Sequence, residues 1–202
     1  MAWKVVDKKN ITGWSARIIV ATPWTTKPVK FWDIFDVWDA LKAGYRDIGA
    51  TDWGVTLSRW YDKESWEVDQ VLWTIDEFVT DWNMGLETSL AETDIENLKL
   101  AWNLDTETVD TVTTPDEATI WINANTEITE RMVIVQVDKR TIAGTIYKRL
   151  YVFWRAKYDW SDVSQSFQKW AKVLLPIKFN LLADPSENIW TAFWKVIDQV
   201  YV

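Results

Sequence analysis

The side chains that most enzymes use for nucleophilic and metal chemistry are missing from this chain: its 202 residues include neither His nor Cys. A Ser–His–Asp or Cys–His arrangement is therefore excluded, and most transition-metal sites lose their usual ligands. Carboxylates remain. Glu64, Glu67 and Asp69 are close in sequence, and Glu67 and Asp69 share a strand face if that stretch is extended. A glycosidase needs two carboxyls at a defined separation across a cleft, whereas acids on an outward strand face are simply solvated. Asp105, Glu107 and Asp110 have the oxygen density of a cation loop but lack the Gly and terminal bidentate Glu of an EF-hand. No Gly-rich phosphate loop occurs. Asn10-Ile11-Thr12 fits a glycosylation acceptor, a three-residue pattern that arises by chance. The reading is of a protein without catalytic activity, metal or cofactor.

Tryptophan is the abnormal residue. Seventeen Trp accompany only six Gly, where a usage of roughly 7% predicts about fourteen Gly. The Trp also stand where Gly belongs. Asp52-Trp53-Gly54, Asp81-Trp82-Asn83 and Asp159-Trp160-Ser161 have the composition of tight turns, whose second residue favours positive φ. A bulky Cβ-bearing side chain is strained there and Gly is not. Trp14, Trp24, Trp32, Trp170 and Trp190 lie among Ser, Thr, Pro, Asp and Lys, outside any apolar stripe. Two explanations are open. Either the Trp are genuine and make an unusually aromatic protein, or the gene uses a stop codon that its host reads as Gly. Six Gly plus seventeen Trp make 23, an ordinary number for a loop-rich β protein.

The elements follow from hydrophobic period. Val173, Leu175, Ile177, Phe179 and Leu181 alternate with more polar positions, a strand with one face in a core. Pro176 cannot donate to a ladder and predicts an edge or a bulge. Residues 130–138 are almost continuously apolar, as for a strand covered on both faces, and residues 146–156 are its expected partner across Ala143-Gly144-Thr145. Ala16 to Ala21 and Val55 to Leu57 supply further strands. Residues 65–72 and 84–92 are predicted to pair around Asp81 to Asn83. One α-helix is expected over about residues 93–104, started by a Thr93/Glu96 capping box and carrying Ile95, Leu98 and Trp102 at helical spacing. A second, short helix is considered over residues 33–43. Hydrophobic content of 48% and this length suit one domain with a substantial core. The expected fold is mainly β, a β-sandwich or rolled barrel with one flanking helix, spanning residues 1–202. Flexible loops are expected over about 22–50 and 105–116, and a C-terminal arm over 186–202.

The net charge of −8 opposes sequence-independent attraction to nucleic acid. No apolar run is long enough for a membrane span, and the first ten residues lack a signal-peptide core. Genuine Trp would open one binding function: aromatic faces on a β-sandwich stack sugars in carbohydrate-binding modules. Such a platform clusters a few rings on one sheet face, and these are spread evenly.

The order of segments carries a resemblance. Ile48-Gly49-Ala50-Thr51-Asp52-Trp53-Gly54-Val55-Thr56-Leu57-Ser58 is similar to an early segment of the major tail tube proteins of long-tailed bacteriophages. Glu67 to Gln70 follow, then a hairpin, then Leu90-Ala91-Glu92-Thr93-Asp94-Ile95-Glu96-Asn97-Leu98, which resembles that family's strand leading into its helix. Arg131 to Val137, Lys148 to Arg155 and Val173 to Ser186 are similar to its late strands. Gly in place of Trp53, Trp66, Trp82, Trp160, Trp170 and Trp194 improves the likeness. The resemblance implies a fold shared with the tube of type VI secretion systems. It implies a structural virion protein that forms hexameric rings stacked into a tube, with tape measure, tail terminator and baseplate proteins as partners. It places the protein in the virion tail, assembled in the host cytoplasm, with DNA passing through the lumen without specific binding. An acidic lumen would repel phosphates and let DNA slide. The expected subunit contacts are the loop around Lys30, Asp33, Asp36, Tyr45 and Asp47, the arm with Thr108 and Asp110, and the tail with Ser186 and Asn188.

Overall fold

The structure, a computed structural model, describes residues 12–22, 25–66, 76–103, 107–110, 117–120, 128–140, 145–159, 165, 173–188 and 192–199. Its centre is the apolar run of the sequence, strand β7 (Glu130–Arg140), which pairs antiparallel with β8 (Ile146–Tyr158). Side chains alternate across a strand, so a run with no polar phase must be buried on both sides. Val133 and Val135 enter one core, and Met132 and Ile134 enter another. β8 does the same with a change of phase. Between the pairs Arg131–Ala156 and Val133–Phe153 it carries an extra residue. This bulge shifts the inward set from Phe153 to Ala156 and Tyr158.

The other strands of this sheet are β1 (Thr12–Ala21), β2 (Tyr45–Asp47), β3 (Thr51–Trp66), β4 (Asp76–Leu90), β9 (Leu175–Leu182) and β10 (Trp194–Asp198). They join β7 and β8 in one antiparallel eight-stranded sheet, ordered β2-β1-β7-β8-β9-β4-β3, with β10 also on β8. The far edge of β8 is shared: residues 149–153 pair with β10, and 155–158 pair with β9. Strands from both ends of this order, β1 and β4, place Ile18, Val20, Leu86 and Leu90 in the same inner core. The sheet therefore rolls over on itself. Among the described residues the fold is mainly β with one α-helix on its flank, as the sequence predicts.

β9 buries every second residue, Leu175, Ile177, Phe179 and Leu181, in the phase its alternation requires. Pro176 lies opposite Ser89 of β4, while the ladder to β8 covers only residues 179–182. The missing N–H thus falls where β9 has β4 alone as a laddered neighbour. Helix α1 (Ile95–Ala101) is shorter than the expected 93–104 and starts two residues later. Its cap is Asp94, whose Oδ1 accepts from the Asn97 amide at 2.8 Å, not the Thr93/Glu96 box. Asp is the stronger cap, and its carboxylate also complements the helix dipole.

Three further expectations are corrected. Residues 33–43 form no α-helix; a 3-10 turn, Phe31–Asp33, is followed by tight turns. The segment around it packs on the outer face of the sheet, where Phe31, Ile34 and Phe35 join Ile19, Leu150 and Val152 in the second core. The partner of β4 is β3, over residues 51–66 instead of 65–72, and Asp81-Trp82-Asn83 lies inside β4 and is no turn. Asp52-Trp53-Gly54 is also within a strand. Trp53 and Gly54 are the extra residues of a bulge between the pairs Asp52–Ser89 and Val55–Thr88. Gly54 takes the positive φ, +82°, with Thr88 donating to its carbonyl at 2.8 Å. In the polar stretch after α1, β5 (Glu107–Asp110) pairs antiparallel with β6 (Glu117–Ile120). Residues 10–11, 67–75, 105–106, 111–116, 143–144 and 160–161, where other expectations fall, lie outside the described residues.

Candidate assembly surfaces

The two segments that carry the family resemblance meet in space. Gly49, with φ +85°, passes beneath the Glu92 carboxylate, and a Cβ there would stand 2.3 Å from Oε2. Glu92 Oε1 accepts from the Ala50 amide at 3.0 Å, and the Ala91 amide donates to the Ala50 carbonyl at 2.9 Å. Asn97, fully buried, completes the junction. Its Nδ2 donates to the carbonyls of Ile48 at 2.9 Å and Glu92 at 3.2 Å, and its Oδ1 accepts from Arg46 at 2.9 Å. The Gly is needed for close approach and the Asn for buried backbone carbonyls that would otherwise lack a donor. This junction holds α1 against the start of β3. It is a structural device.

The loop and tail residues expected at subunit contacts mostly serve their own backbone. Asp33 accepts from the amides of Lys30 at 2.8 Å and Val29 at 2.7 Å, and those amides hold its carboxyl below the usual range. Asp36 accepts from the amides of Trp38 at 2.8 Å and Ala40 at 2.9 Å, an Asx turn. Tyr45 is half-buried in β2 and its hydroxyl donates to the Thr26 carbonyl at 3.4 Å. Asp47 pairs with Arg17 at 2.5 Å and accepts from the Gly49 amide at 3.0 Å. Ser186 donates to Asp184 through its amide, at 2.9 Å, and its hydroxyl, at 2.7 Å. Asn188 is exposed beside it. Thr108 and Asp110 stand in β5 opposite Thr119 and Glu117.

The C-terminal region is likewise tied to the body. Asp184 is buried and pairs with Lys27 at 2.5 Å. Lys27 and Ser186 lower its pKa to about 2. Asp198 of β10 accepts from Lys139 at 2.7 Å and Arg149 at 2.8 Å, linking β7, β8 and β10. Burial opposes its ionisation, but the two cations outweigh burial and its pKa falls.

The surface that the sequence reading missed is the outer half of the β3–β4 hairpin. β9 covers β4 only from Met84 to Leu90. Beyond that point residues 60–66 and 76–83 form a two-stranded ribbon, and Asp76 to Trp82 are all exposed. Tyr61, Phe78 and Val79 project between Asp62, Lys63, Glu64, Glu77 and Asp81. A bulge at Thr80, between the pairs Asp62–Asp81 and Lys63–Val79, twists the ribbon. Among the described residues β3 is laddered to β4 alone, so its sixteen residues leave one long row of backbone groups unclaimed by the sheet. The sequence signal was present but quiet: two long β-prone stretches of matching length without a consistent apolar phase.

Catalytic and metal readings gain nothing. Glu64 lies exposed on this ribbon, and Glu67, Asp69 and Asp105 lie outside the described residues. Among the described residues no group of three acidic side chains converges as a metal site would require. An apolar cleft of about 210 Å³ opens between Ala16, Val55, Leu57, Leu86, Val137 and Tyr151. It has no charged side chain to orient a substrate. No described helix is long and apolar enough to cross a membrane. Among the described residues a sugar platform is not assembled either. Trp82 is covered by the Arg59 guanidinium at 4.2 Å and tilted against Tyr61, and Trp32, Trp38, Trp102 and Trp194 stand on other elements. Compared with known protein-family models and with curated proteins, the chain matches none.

Proposed function

We propose that this chain is a structural subunit that assembles with copies of itself into stacked rings, forming the tail tube of a long-tailed phage through which DNA leaves the virion. The observation that supports this most is the long edge of β3 that no described strand ladders, together with the ribbon that extends it past the body. Unpaired strand edges are templates for another chain. Natural monomers blunt or cover them, and here the edge is long and its ribbon is apolar at Tyr61, Phe78 and Val79. Interspersed charges and the Thr80 bulge restrain indiscriminate pairing and leave room for a specific partner.

A head-to-tail contact about a rotation axis closes a ring, and an axial contact repeats without closing. One chain with two such contacts is sufficient for a tube. The acidic balance, net charge −8, then suits a conduit, since Asp and Glu on a lumen wall repel phosphates. The tube's ends would be met by tape measure, terminator and baseplate proteins. Electron microscopy of the purified protein over a concentration series tests this. Hollow filaments about ten nanometres wide are expected, the scale of a ring of compact ~20 kDa subunits. A chain that stays monomeric at every concentration overturns it.

A further inference from the structure

The structure bears on the excess of Trp in a way that composition could not, and it does so independently of the proposed function. Among side chains of the described residues, seven are Trp. Six of these, Trp32, Trp38, Trp60, Trp82, Trp102 and Trp194, are exposed, and only Trp154 is buried. The described Phe behave in the opposite way: Phe31, Phe35, Phe153 and Phe179 are buried, Phe193 is partly buried and, among them, only Phe78 is exposed. Trp is highly buried on average, and a chain that sorts Phe inward should sort Trp inward by the same driving force. Here the larger aromatic is sorted outward.

A binding role does not account for the pattern. Trp32 and Trp38 lie on the loop over the outer core, Trp60 and Trp82 on the ribbon, Trp102 at the end of α1 and Trp194 on β10. A recognition surface gathers its aromatics, and these are scattered over four parts of the molecule. The turn and the helix end that carry Trp38 and Trp102 are left-handed one residue later, not at the Trp. The non-Gly residues with positive φ among those described are Asp39, at +61°, and Asn103, at +50°. Each directly follows one of these Trp, Trp38 and Trp102. Trp38 itself is 86% exposed in the Asp36 turn, and Trp102 caps the C-terminus of α1. Tight turns and helix ends are rich in Gly, but the left-handed position in each is the residue after the Trp, so it is the exposure of these rings, and not their backbone, that marks them.

We infer that the native gene product carries Gly at the exposed Trp positions of turns, ribbon and helix end, because the source organism reads an in-frame UGA codon as Gly. Trp154 is genuine on this view: it is 7% exposed among Leu150, Val152 and Met132 and fills the outer core. The consequence for assembly is specific. With Gly at positions 60 and 82, the apolar surface of the ribbon reduces to Tyr61, Phe78 and Val79, and Arg59 loses the ring it now covers. Any partner contact then reads those three side chains and the freed guanidinium.

Two measurements test this. The codons at Trp32, Trp38, Trp60, Trp82 and Trp102 are read from the gene, and the same five positions are read in protein from the native source by tandem mass spectrometry of its peptides. The expected result is UGA at most of the five codons and Gly at most of the five residues. UGG codons at most of them overturn the inference, as does Trp in the native peptides at most of them whatever the codon.

Discussion

The pair β7–β8 and the outer half of β3–β4 are both long antiparallel hairpin ladders, yet one is laminated and the other bare. β7 and β8 put Val133, Val135 and Phe153 into the inner core and Met132, Ile134, Leu150 and Val152 into the outer one. From Asp76 to Trp82, β4 buries nothing on either face. A two-stranded ribbon is marginal in water when it stands alone. The outer half persists because its base, from Met84 to Leu90, is held between β3 and β9. Stability and exposed interaction surface are thus separated along a single strand. The base supplies the fold, and the tip is free to be chosen for something else.

That division sets the scale of what substitution does. The largest loss is expected in the laminated half. Phe153 is wholly buried at the centre of the inner core, and Phe153→Ala removes its transfer energy and leaves a cavity, about 3–5 kcal/mol. For a chain of this length the thermal midpoint should fall by roughly 10 °C, read by circular dichroism. A change within a degree or two would mean that the inner core repacks freely and that the contrast between the two hairpins is overstated.

A smaller, pH-dependent loss is expected at the Lys27–Asp184 pair, which ties the outer loop to the turn after β9. The Asp184 pKa lies at about 2 against an ordinary 3.8. A depressed acid contributes stability that is fully present above its unfolded pKa and is lost as pH falls through the folded value. The window is therefore about pH 4 down to pH 2, and the contribution is about 2 kcal/mol at neutral pH. Asp184→Asn should lower stability at pH 7 by that order and flatten the acid limb of denaturant midpoints in the window. An unchanged limb would show that Asp184 does not anchor the loop.

The laminated half was legible in the sequence and the bare half was not, for one physical reason. Burial imprints a period on a strand. The unbroken apolar run of β7 and the strict alternation of β9 follow directly from two covered faces and from one. The outer ribbon has no covered face, so only its turn-like residues stood out. Asp81-Trp82-Asn83 has the chemistry of a turn, but its cross-strand partners Asp62, Tyr61 and Trp60 keep it extended. Asp52-Trp53-Gly54 became a bulge because Gly54 could supply positive φ without ending the strand. Several of the expected contact residues also bond within the chain, for a related reason. Asp33, Asp36 and Asp47 look like surface acids in sequence, yet short acids in loops first satisfy nearby backbone amides. The Gly49–Glu92–Asn97 junction was visible only as two separate segments. Nothing in one sequence says that residues so far apart touch.

The smallest effect on folding and the largest on assembly are expected at the ribbon tip. Phe78 is 40% exposed, and Phe78→Ser should change unfolding free energy by no more than about 0.5 kcal/mol. In the proposed assembly the same change removes a large apolar side chain from a contact between copies, where a few aromatic anchors carry most of the energy. Sedimentation of wild type and variant at matched concentration separates the two properties. Retained stability with lost oligomers places the contact at the tip of the ribbon. If instead stability falls by several kcal/mol, the ribbon is part of the fold and the distinction between the two hairpins fails. Retained stability with retained oligomers moves the contact elsewhere, and the unladdered edge of β3 nearer the body is then the surface to substitute.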